Sequence, residues 1–206
     1  AATSYEERAA VLRRAGDLLE AHGDVSSDWL IREAGSAKGK AAFESHMVSG
    51  IFYAAAAVAL APYGQLLRSG KPRLSLARRI PVGVVGVISP FNFPQILSMR
   101  SVAPALALGN AVILKPDPRT AVSGGLVFAA LLEEAGLPAG LFHVLPGAIE
   151  PATALIEPPA VRVISFTGST NAGRAIGQLG AKHLKRVHLE LGGNNAMRGS
   201  DDVDVP

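Results

Sequence analysis

The chain has 206 residues, of which 49% are hydrophobic and 18% charged, so it has enough apolar side chains for one sizeable core. Its formal net charge is +3, and its short basic runs, Arg78-Arg79 and Lys182 with Lys185-Arg186, are not interleaved with aromatic residues, which argues against a nucleic-acid partner and favours solvated surface. The absence of cysteine excludes disulfides and thiolate metal sites, and the spacing of the five histidines predicts no zinc site.

The first 62 residues are predicted to be helical. Residues 4–7 form a capping box, and apolar residues with the helical period follow as far as Gly23. A second, short helix ends near Gly35, and a long alanine-rich helix covers about 38–61. Its longest apolar run, 51–62, is about half as long as a membrane span, so we interpret the helix as buried scaffold. With no recognisable signal peptide either, we expect a cytoplasmic protein without a membrane partner.

Residues 74–79 alternate apolar and polar side chains, which predicts an edge strand that can pair with another chain. From residue 82 onward, short apolar segments rich in β-branched residues alternate with amphipathic helices. The predicted strands are 82–88, 111–114, 142–145, 161–166 and 186–190, and the predicted helices are 94–108, 120–135, 151–157 and 171–179. This alternation indicates an α/β fold with a parallel sheet covered on both faces. In such sheets ligands bind beyond the carboxyl ends of the strands.

Polar residues follow the first two of these strands. Asn92 lies between Pro90 and Pro94, which stiffen the loop, and a fixed side-chain amide can stabilise an oxyanion. The alternative is an asparagine that completes a turn or caps the next helix. Lys115 can bind ribose hydroxyls or phosphate, or be a solvated surface lysine. Asp117 is a candidate acceptor for a ribose hydroxyl.

The later strand ends carry glycines, hydroxyls and one acid. Gly147 marks a tight turn that a nucleotide can approach. Gly168 and Ser169 precede a helix and together resemble an anion site, although Ser169 or Thr170 can instead simply cap that helix. Glu190 stands before two glycines that permit close approach to the backbone, as a general base would require. The alternative for Glu190 is a pairing with Arg186 or Lys185.

Taken in order, these motifs resemble the aldehyde dehydrogenase superfamily, from the helix at Glu6 to about Asn195. Residues 115–125 are most similar to the branch that oxidises aromatic aldehydes such as benzaldehyde or salicylaldehyde. The resemblance implies helices followed by a Rossmann-like parallel sheet of five strands. It divides the chain into a helical part at 1–72, an oligomerisation-type strand at 73–80 and a dinucleotide-binding part at 81–206. The matching segments are Pro90-Phe91-Asn92-Phe93-Pro94, Leu114-Lys115-Pro116, Pro146-Gly147, Phe166-Thr167-Gly168-Ser169-Thr170 with Gly173-Arg174, and Leu189-Glu190-Leu191-Gly192-Gly193-Asn194.

The resemblance implies oxidation of a small aldehyde by NAD or NADP, through a thiohemiacetal and a thioester on a cysteine. Asn92 would stabilise the oxyanion, and Glu190 would activate the water that hydrolyses the thioester. Leu97 and Arg100 would border the aldehyde tunnel. The residues expected to line the cofactor site are Ile88, Ser89, Phe91, Lys115, Asp117, Pro118, Gly147, Phe166, Gly168, Ser169, Gly173, Leu191 and Gly192.

Three features of the sequence depart from the family pattern. Many relatives have tryptophan in place of Phe91. NAD-preferring relatives often have glutamate in place of Pro118, and because Asp117 is one position away, the choice between NAD and NADP stays open. The family's catalytic cysteine lies beyond the glutamate, whereas this sequence has none, and residues 197–200 lack the apolar strand expected there. We therefore expect the N-terminal part of an enzyme, inactive alone.

Two other functions are considered. A non-catalytic nucleotide-binding module or pseudoenzyme would keep the pocket without the nucleophile, and coding sequence beyond Pro206 would distinguish it from an enzyme. A reductase of acyl phosphates shares the general fold, but the match at 189–193 argues against it. For the full-length enzyme the resemblance implies a homo-oligomer, a dimer or tetramer. For the isolated chain we expect marginal stability, because apolar surface would be exposed.

Overall fold

The computed structural model describes residues 3–196. Seven α-helices and seven strands form within this range. The helices are α1 (Tyr5–Ala21), α2 (Gly23–Ala34), α3 (Lys38–Leu60), α4 (Pro94–Ala107), α5 (Val127–Glu134), α6 (Glu150–Ile156) and α7 (Thr170–Lys182). The strands are β1 (Gly64–Leu67), β2 (Ser75–Arg78), β3 (Val84–Ile88), β4 (Ala111–Lys115), β5 (Phe142–Val144), β6 (Val161–Thr167) and β7 (Arg186–Glu190).

The predicted α/β fold is confirmed. The last five strands form one parallel sheet in the order β5-β4-β3-β6-β7, with β3 at its centre. The chain first builds outward from β3 through β4 to β5, and then crosses to the other side of β3 to form β6 and β7. The strand order therefore reverses between β3 and β6, which is where open sheets of this class bind ligands.

Helices cover both faces of the sheet, and each face has its own core. On one face α1, α3, α4 and α5 pack on β3 and β4, with Phe52 and Phe128 fully buried and their ring centroids 6.3 Å apart. On the other face a smaller core contains Leu155, Ile164 and Phe166, covered by α6 and α7. Burial on both sides explains why the central strands read as continuous apolar segments.

Helix α3 is the longest element of the described residues. By length and composition it is the one described helix that is apolar enough to cross a membrane, although 44% of its most apolar stretch is buried inside the protein. It packs against α1, α2 and α4, with Val48 and Phe52 fully buried. These contacts agree with the prediction that α3 is a scaffold helix.

Strands β1 and β2 form a separate antiparallel hairpin whose residues are almost all exposed. Strand β2 lies within the predicted edge strand 74–79, but β1 was not predicted. Its four residues, Gly-Gln-Leu-Leu, lack the β-branched side chains of a typical strand, and their pairing with β2 determines their conformation.

Two other expectations were wrong in part. The predicted helix 120–135 is divided into a 3₁₀ turn at Pro118–Thr120, a π-helical turn at Val122–Leu126 and the shorter α5. Lys185 is not a solvated surface lysine, because its Nζ donates hydrogen bonds to the carbonyls of Pro158 and Val161 at 2.6 and 2.5 Å. The segment 197–200, on which an expectation was also placed, lies outside the described residues.

Candidate active site

Strand-end residues from β3, β4, β6 and β7 share the carboxyl edge of the parallel sheet. Ile88, the last residue of β3, and Ser89 are buried, whereas Phe91 and Asn92 in the loop that follows are exposed. The backbone N–H of Ser89 donates to the carbonyl of Lys115 at 3.1 Å, and its hydroxyl lies 2.7 Å from that of Ser98. The hydroxyl and the backbone N–H of Ser89 are thus both engaged inside the protein.

The exposed side chain of Asn92 has no hydrogen-bond partner within residues 3–196. Asn92 does not cap helix α4. The N-cap residue of α4 is Phe93, whose side chain accepts no hydrogen bond from the helix. The capping function falls to Glu44 of α3, whose carboxylate accepts from the backbone N–H groups of Gln95 and Ile96. The amide of Asn92 is therefore available to another group, and Glu44 is a contributor that the sequence did not reveal.

Strand β4 ends at Lys115, which is only 6% exposed, so its interpretation as a solvated lysine is wrong. Burial lowers the pKa of Lys115, an effect that the negative charge of Asp117 partly opposes. Asp117 in turn receives three hydrogen bonds from Arg119, including two from the guanidinium at 2.8 and 3.0 Å, which lower the pKa of Asp117. Pro118 is exposed between them.

Arg119 joins the ends of β3 and β4. Its guanidinium carbon lies 3.6 Å from the ring centroid of Phe91, a cation–π contact, while its nitrogens bind Asp117. Arg119 was not among the residues predicted from the sequence, although an arginine two residues after an aspartate is a signal for such a pair. Because Asp117 is already occupied by this cation, it is less available as an acceptor for a ribose hydroxyl.

The remaining glycines of this edge permit close approach of neighbouring groups. Gly147, after β5, has φ +141° and lies against Pro151. A Cβ at Gly168 would lie 2.5 Å from the ring of Phe166, and a Cβ at Gly173 would lie 2.3 Å from Leu191. These three positions therefore require glycine for steric reasons, whatever else they do.

Helix α7 begins at Thr170, directly after its N-cap residue Ser169. The hydroxyl of Ser169 caps it by accepting from the N–H of Ala172 at 3.3 Å, so the capping alternative for Ser169 holds. That hydroxyl keeps its own proton for a further acceptor, and the first N–H groups of a helix have no acceptor within the helix. The N-terminus of α7 can thus bind an anion.

Glu190 ends β7 with its side chain half exposed. Its carboxylate lies 3.1 Å from Nε2 of His188 and 3.9 Å from Nη2 of Arg100, so it is surrounded by basic groups rather than by the apolar ones that flank it in sequence. The alternative pairing with Arg186 or Lys185 is wrong, because Arg186 lies at the other end of the strand and Lys185 binds carbonyl groups.

Leu97 and Arg100, the predicted tunnel residues, both lie on α4. Leu97 is partly buried, and Arg100 is exposed and also donates to the hydroxyl of Thr167 at 3.0 Å. Leu191 and Gly192 follow Glu190 and are exposed. None of these residues lines either of two cavities of about 330 and 680 Å³, which lie beside α1. Because Arg100, Leu191 and Gly192 are exposed, this part of the candidate site is open to solvent in the described residues.

This edge combines a free amide, a half-exposed carboxylate, a buried lysine and a helix N-terminus. Such a set can bind a dinucleotide and assist a reaction in which negative charge develops on oxygen. It contains no side chain suited to covalent attack on a carbonyl, because the sequence has no cysteine and the serines and threonines of the edge have no histidine within hydrogen-bond distance.

The fold and the strand-end motifs define one class of protein: the aldehyde dehydrogenase family model matches residues 1–206, and the chain belongs to that family. A vanillin dehydrogenase of an Amycolatopsis species is 63% identical over 205 residues, which are 100% of this chain and 42% of that protein. A benzaldehyde dehydrogenase [NAD(+)] of Pseudomonas putida is 47% identical, again over 100% of this chain and 42% of its own length.

A solved structure, an NAD-dependent benzaldehyde dehydrogenase from Corynebacterium glutamicum, superimposes with a TM-score of 0.90 at 44% identity. The alignment covers 94% of this chain and 43% of that one. The family resemblance read from the motifs is thus confirmed. The chain spans about 42% of the length of the curated relatives that it matches.

Proposed function

We propose that this chain supplies the cofactor-binding edge and two catalytic groups of an enzyme that oxidises aromatic aldehydes to carboxylic acids with NAD or NADP. The proposal rests chiefly on one observation: the carboxyl edge of one parallel sheet carries Asn92, Lys115, the start of α7 and Glu190. These groups follow β3, β4, β6 and β7, the strands on either side of the switch point between β3 and β6. The similarity to vanillin and benzaldehyde dehydrogenases supports an aromatic substrate.

The start of α7 is the best candidate for the cofactor pyrophosphate. Glu44 already fills the N-terminus of α4, and Glu33 fills that of the turn at 122–126 by accepting from the N–H groups of Val122 and Ser123 at 3.1 and 2.6 Å. Both carboxylates would repel an anion. At α7 the capping side chain among the described residues is the neutral hydroxyl of Ser169, so the first N–H groups of α7 and Gly168 suit a pyrophosphate.

The adenosine ribose would lie at the end of β4, where Lys115 can donate to its hydroxyls. Pro118 offers no acceptor for the 2′-hydroxyl, and Asp117 is held by Arg119. The cationic Arg119 would also tolerate a 2′-phosphate. We therefore propose that both NAD and NADP are accepted, in the cytoplasm, where these cofactors are available.

When bound, the cofactor would supply the acceptor for the hydride that leaves the substrate carbon. Asn92 would donate its amide N–H to the oxygen of the aldehyde, which becomes negatively charged as a thiolate adds to the carbonyl carbon. That thiolate must come from outside these 206 residues. After hydride transfer, Glu190 would take a proton from water, whose oxygen then adds to the thioester and releases the acid and the thiol.

The exposed hairpin of β1 and β2 would contribute to a homo-oligomer. Its leucines are large, apolar and solvent-exposed in this chain, and β2 lies where the family resemblance implies an oligomerisation strand. Addition of strands at a free edge is a common way for chains to associate.

The product of the complete reading frame tests the proposal. We expect it to reduce NAD or NADP when given benzaldehyde or vanillin, and the isolated 206-residue chain to bind cofactor without turnover. The complete product could instead lack cysteine, bind cofactor and oxidise no aldehyde. That result would support a nucleotide-binding module, the function favoured by the absence of a nucleophile.

Glu190→Gln in the same product isolates the hydrolytic step. We expect a burst of one reduced cofactor per active site followed by slow turnover, since the amide cannot take the proton from water. A variant with normal steady-state turnover would exclude Glu190 as the base.

A further inference from the structure

Glu44 stands out because it is an acidic side chain with no exposed surface in an alanine-rich helix. Its Oε1 accepts from the backbone N–H of Gln95 at 2.8 Å and of Ile96 at 3.3 Å, both in the first turn of α4. Its Oε2 accepts from Lys40 Nζ. The buried charge is thus compensated by an ammonium group, by two backbone donors and by the positive end of a helix dipole.

The contacts of Glu44 extend toward the loop that carries Asn92. Lys40 Nζ lies 4.4 Å from the ring centroid of Phe93, the residue directly after Asn92. The side chain of Gln95 binds Ser26 of α2 at 2.8 Å and lies within 3.3 Å of the Ser45 hydroxyl. The residues on the C-terminal side of Asn92 are therefore fixed to α2 and α3 rather than by any cap of their own.

This arrangement differs from ordinary helix capping. A helix is usually capped by the side chain of its own N-cap residue, but Phe93 occupies that position in α4 and has no acceptor. The acceptor comes instead from residue 44, about fifty positions earlier in the chain. Capping from another helix fixes the start of α4 relative to α3, whereas a local cap would stabilise α4 alone.

We propose that Glu44 is a positioning residue that holds the Asn92 amide in place for oxyanion stabilisation. The proposal rests on the function assigned to Asn92 above. A small misplacement of a catalytic group lowers the rate far more than it lowers stability, so the loss of this cap has its largest effect on the chemical step.

The test uses the product of the complete reading frame with the substitution Glu44→Gln. A second variant, Glu44→Asp, keeps the charge on a shorter side chain. Glu33→Gln is the matched control, because the carboxylate of Glu33, on α2, also accepts from two backbone N–H groups, those of Val122 and Ser123. We expect Glu44→Gln to lower kcat by about ten-fold to a hundred-fold. Cofactor Kd, measured by direct binding, stays within about twofold, since the cap does not reach Lys115 or α7.

Glu44→Asp is expected to recover part of kcat, and Glu33→Gln to retain it within about twofold at saturating substrates. Hydrogen exchange of the amides of residues 95–97 is expected to be faster in Glu44→Gln and unchanged in Glu33→Gln. If Glu44→Gln does not fold, the same comparison is made between Glu44→Asp and Glu33→Gln.

Two results would overturn the proposal. One is a kcat for Glu44→Gln that falls no further than that of Glu33→Gln at equal loss of thermal stability. The other is unchanged exchange at residues 95–97. A wild-type product that oxidises no aldehyde would contradict the proposed function instead, and the exchange measurement would still decide whether Glu44 fixes this loop.

Discussion

Arg100 and Glu190 approach each other across the candidate site, with Nη2 of the arginine 3.9 Å from Oε2 of the glutamate. Arg100 lies on the second turn of α4, the helix that begins two residues after Asn92, whereas Glu190 ends β7. Arg100 also donates to Thr167 at the end of β6. One guanidinium therefore connects the elements that carry the predicted amide and the predicted base.

Cofactor preference is expected to depend on the pair of Asp117 and Arg119. Asp117→Asn removes the carboxylate that neutralises Arg119, so affinity for NADP, with its 2′-phosphate, should rise relative to NAD by about ten-fold. Arg119→Gln should change the ratio in the opposite direction. Direct binding of both cofactors to each variant measures this, and equal ratios in all three proteins would contradict it.

Cofactor affinity is expected to decrease as the pH rises, at a lower pH than it would if Lys115 had the pKa of an ordinary lysine. Burial lowers the pKa of Lys115, so its ammonium group loses its proton at a lower pH than that of an ordinary lysine, and with it one donor to the ribose. Titration of NAD binding between neutral and alkaline pH tests this. Lys115→Met serves as the control, with weaker affinity that does not change over the same range.

The three glycines of α7 that face β7 should respond differently to alanine. At Gly180 a Cβ would lie 2.4 Å from Val187 Cγ2, a stiff β-branched side chain, whereas at Gly177 it would lie 3.7 Å from Leu189. Gly180→Ala should destabilise by about 1–3 kcal/mol, and Gly177→Ala should stabilise by up to about 1 kcal/mol through helix propensity. Gly173→Ala would displace Leu191 and is expected to weaken cofactor binding as well. Urea unfolding and cofactor titration measure these effects, and equal stabilities of the Gly177 and Gly180 variants would refute the packing argument.

Arg8 is expected to stabilise the packing of α1 against the end of α4. Its Nε donates to the carbonyl of Ala107 at the end of α4 at 2.8 Å, and Nη1 donates to Thr3 at 2.6 Å. Arg8→Ala should cost about 1–3 kcal/mol, because a carbonyl of the helix end loses a charged donor. Arg13→Ala, at an exposed position with no hydrogen bond or ion pair in residues 3–196, should change thermal stability little.

The hairpin leucines should control association of the complete product. Leu66 and Leu76 are directly opposite in the register and are 72% and 65% exposed. Replacing both with lysine should dissociate an oligomer into smaller species, because a charged side chain resists burial at an interface. Light scattering measures this. Leu184→Lys, at a position 95% exposed elsewhere, should leave the assembly intact.

Much of the fold was predictable from local patterns. Apolar segments bounded by glycine and proline identified every strand of the parallel sheet to within about two residues, and the signal is strongest for β3 and β4, which are largely buried between the helices. The same patterns missed β1, which has no intrinsic strand preference, and treated 120–135 as one helix. There a carboxylate from α2, Glu33, binds the N–H groups of Val122 and Ser123, a contact that no local pattern contains.

The sequence by itself determined the family and the order of the strand-end residues, because glycines, prolines and polar groups at the ends of buried strands leave a recognisable spacing. Only the tertiary structure decided which partners those residues have: Glu44 beneath the Asn92 loop, Arg119 between Asp117 and Phe91, and Arg100 beside Glu190. Such partners come from separate elements, and their approach depends on how helices pack on the sheet rather than on distance along the chain.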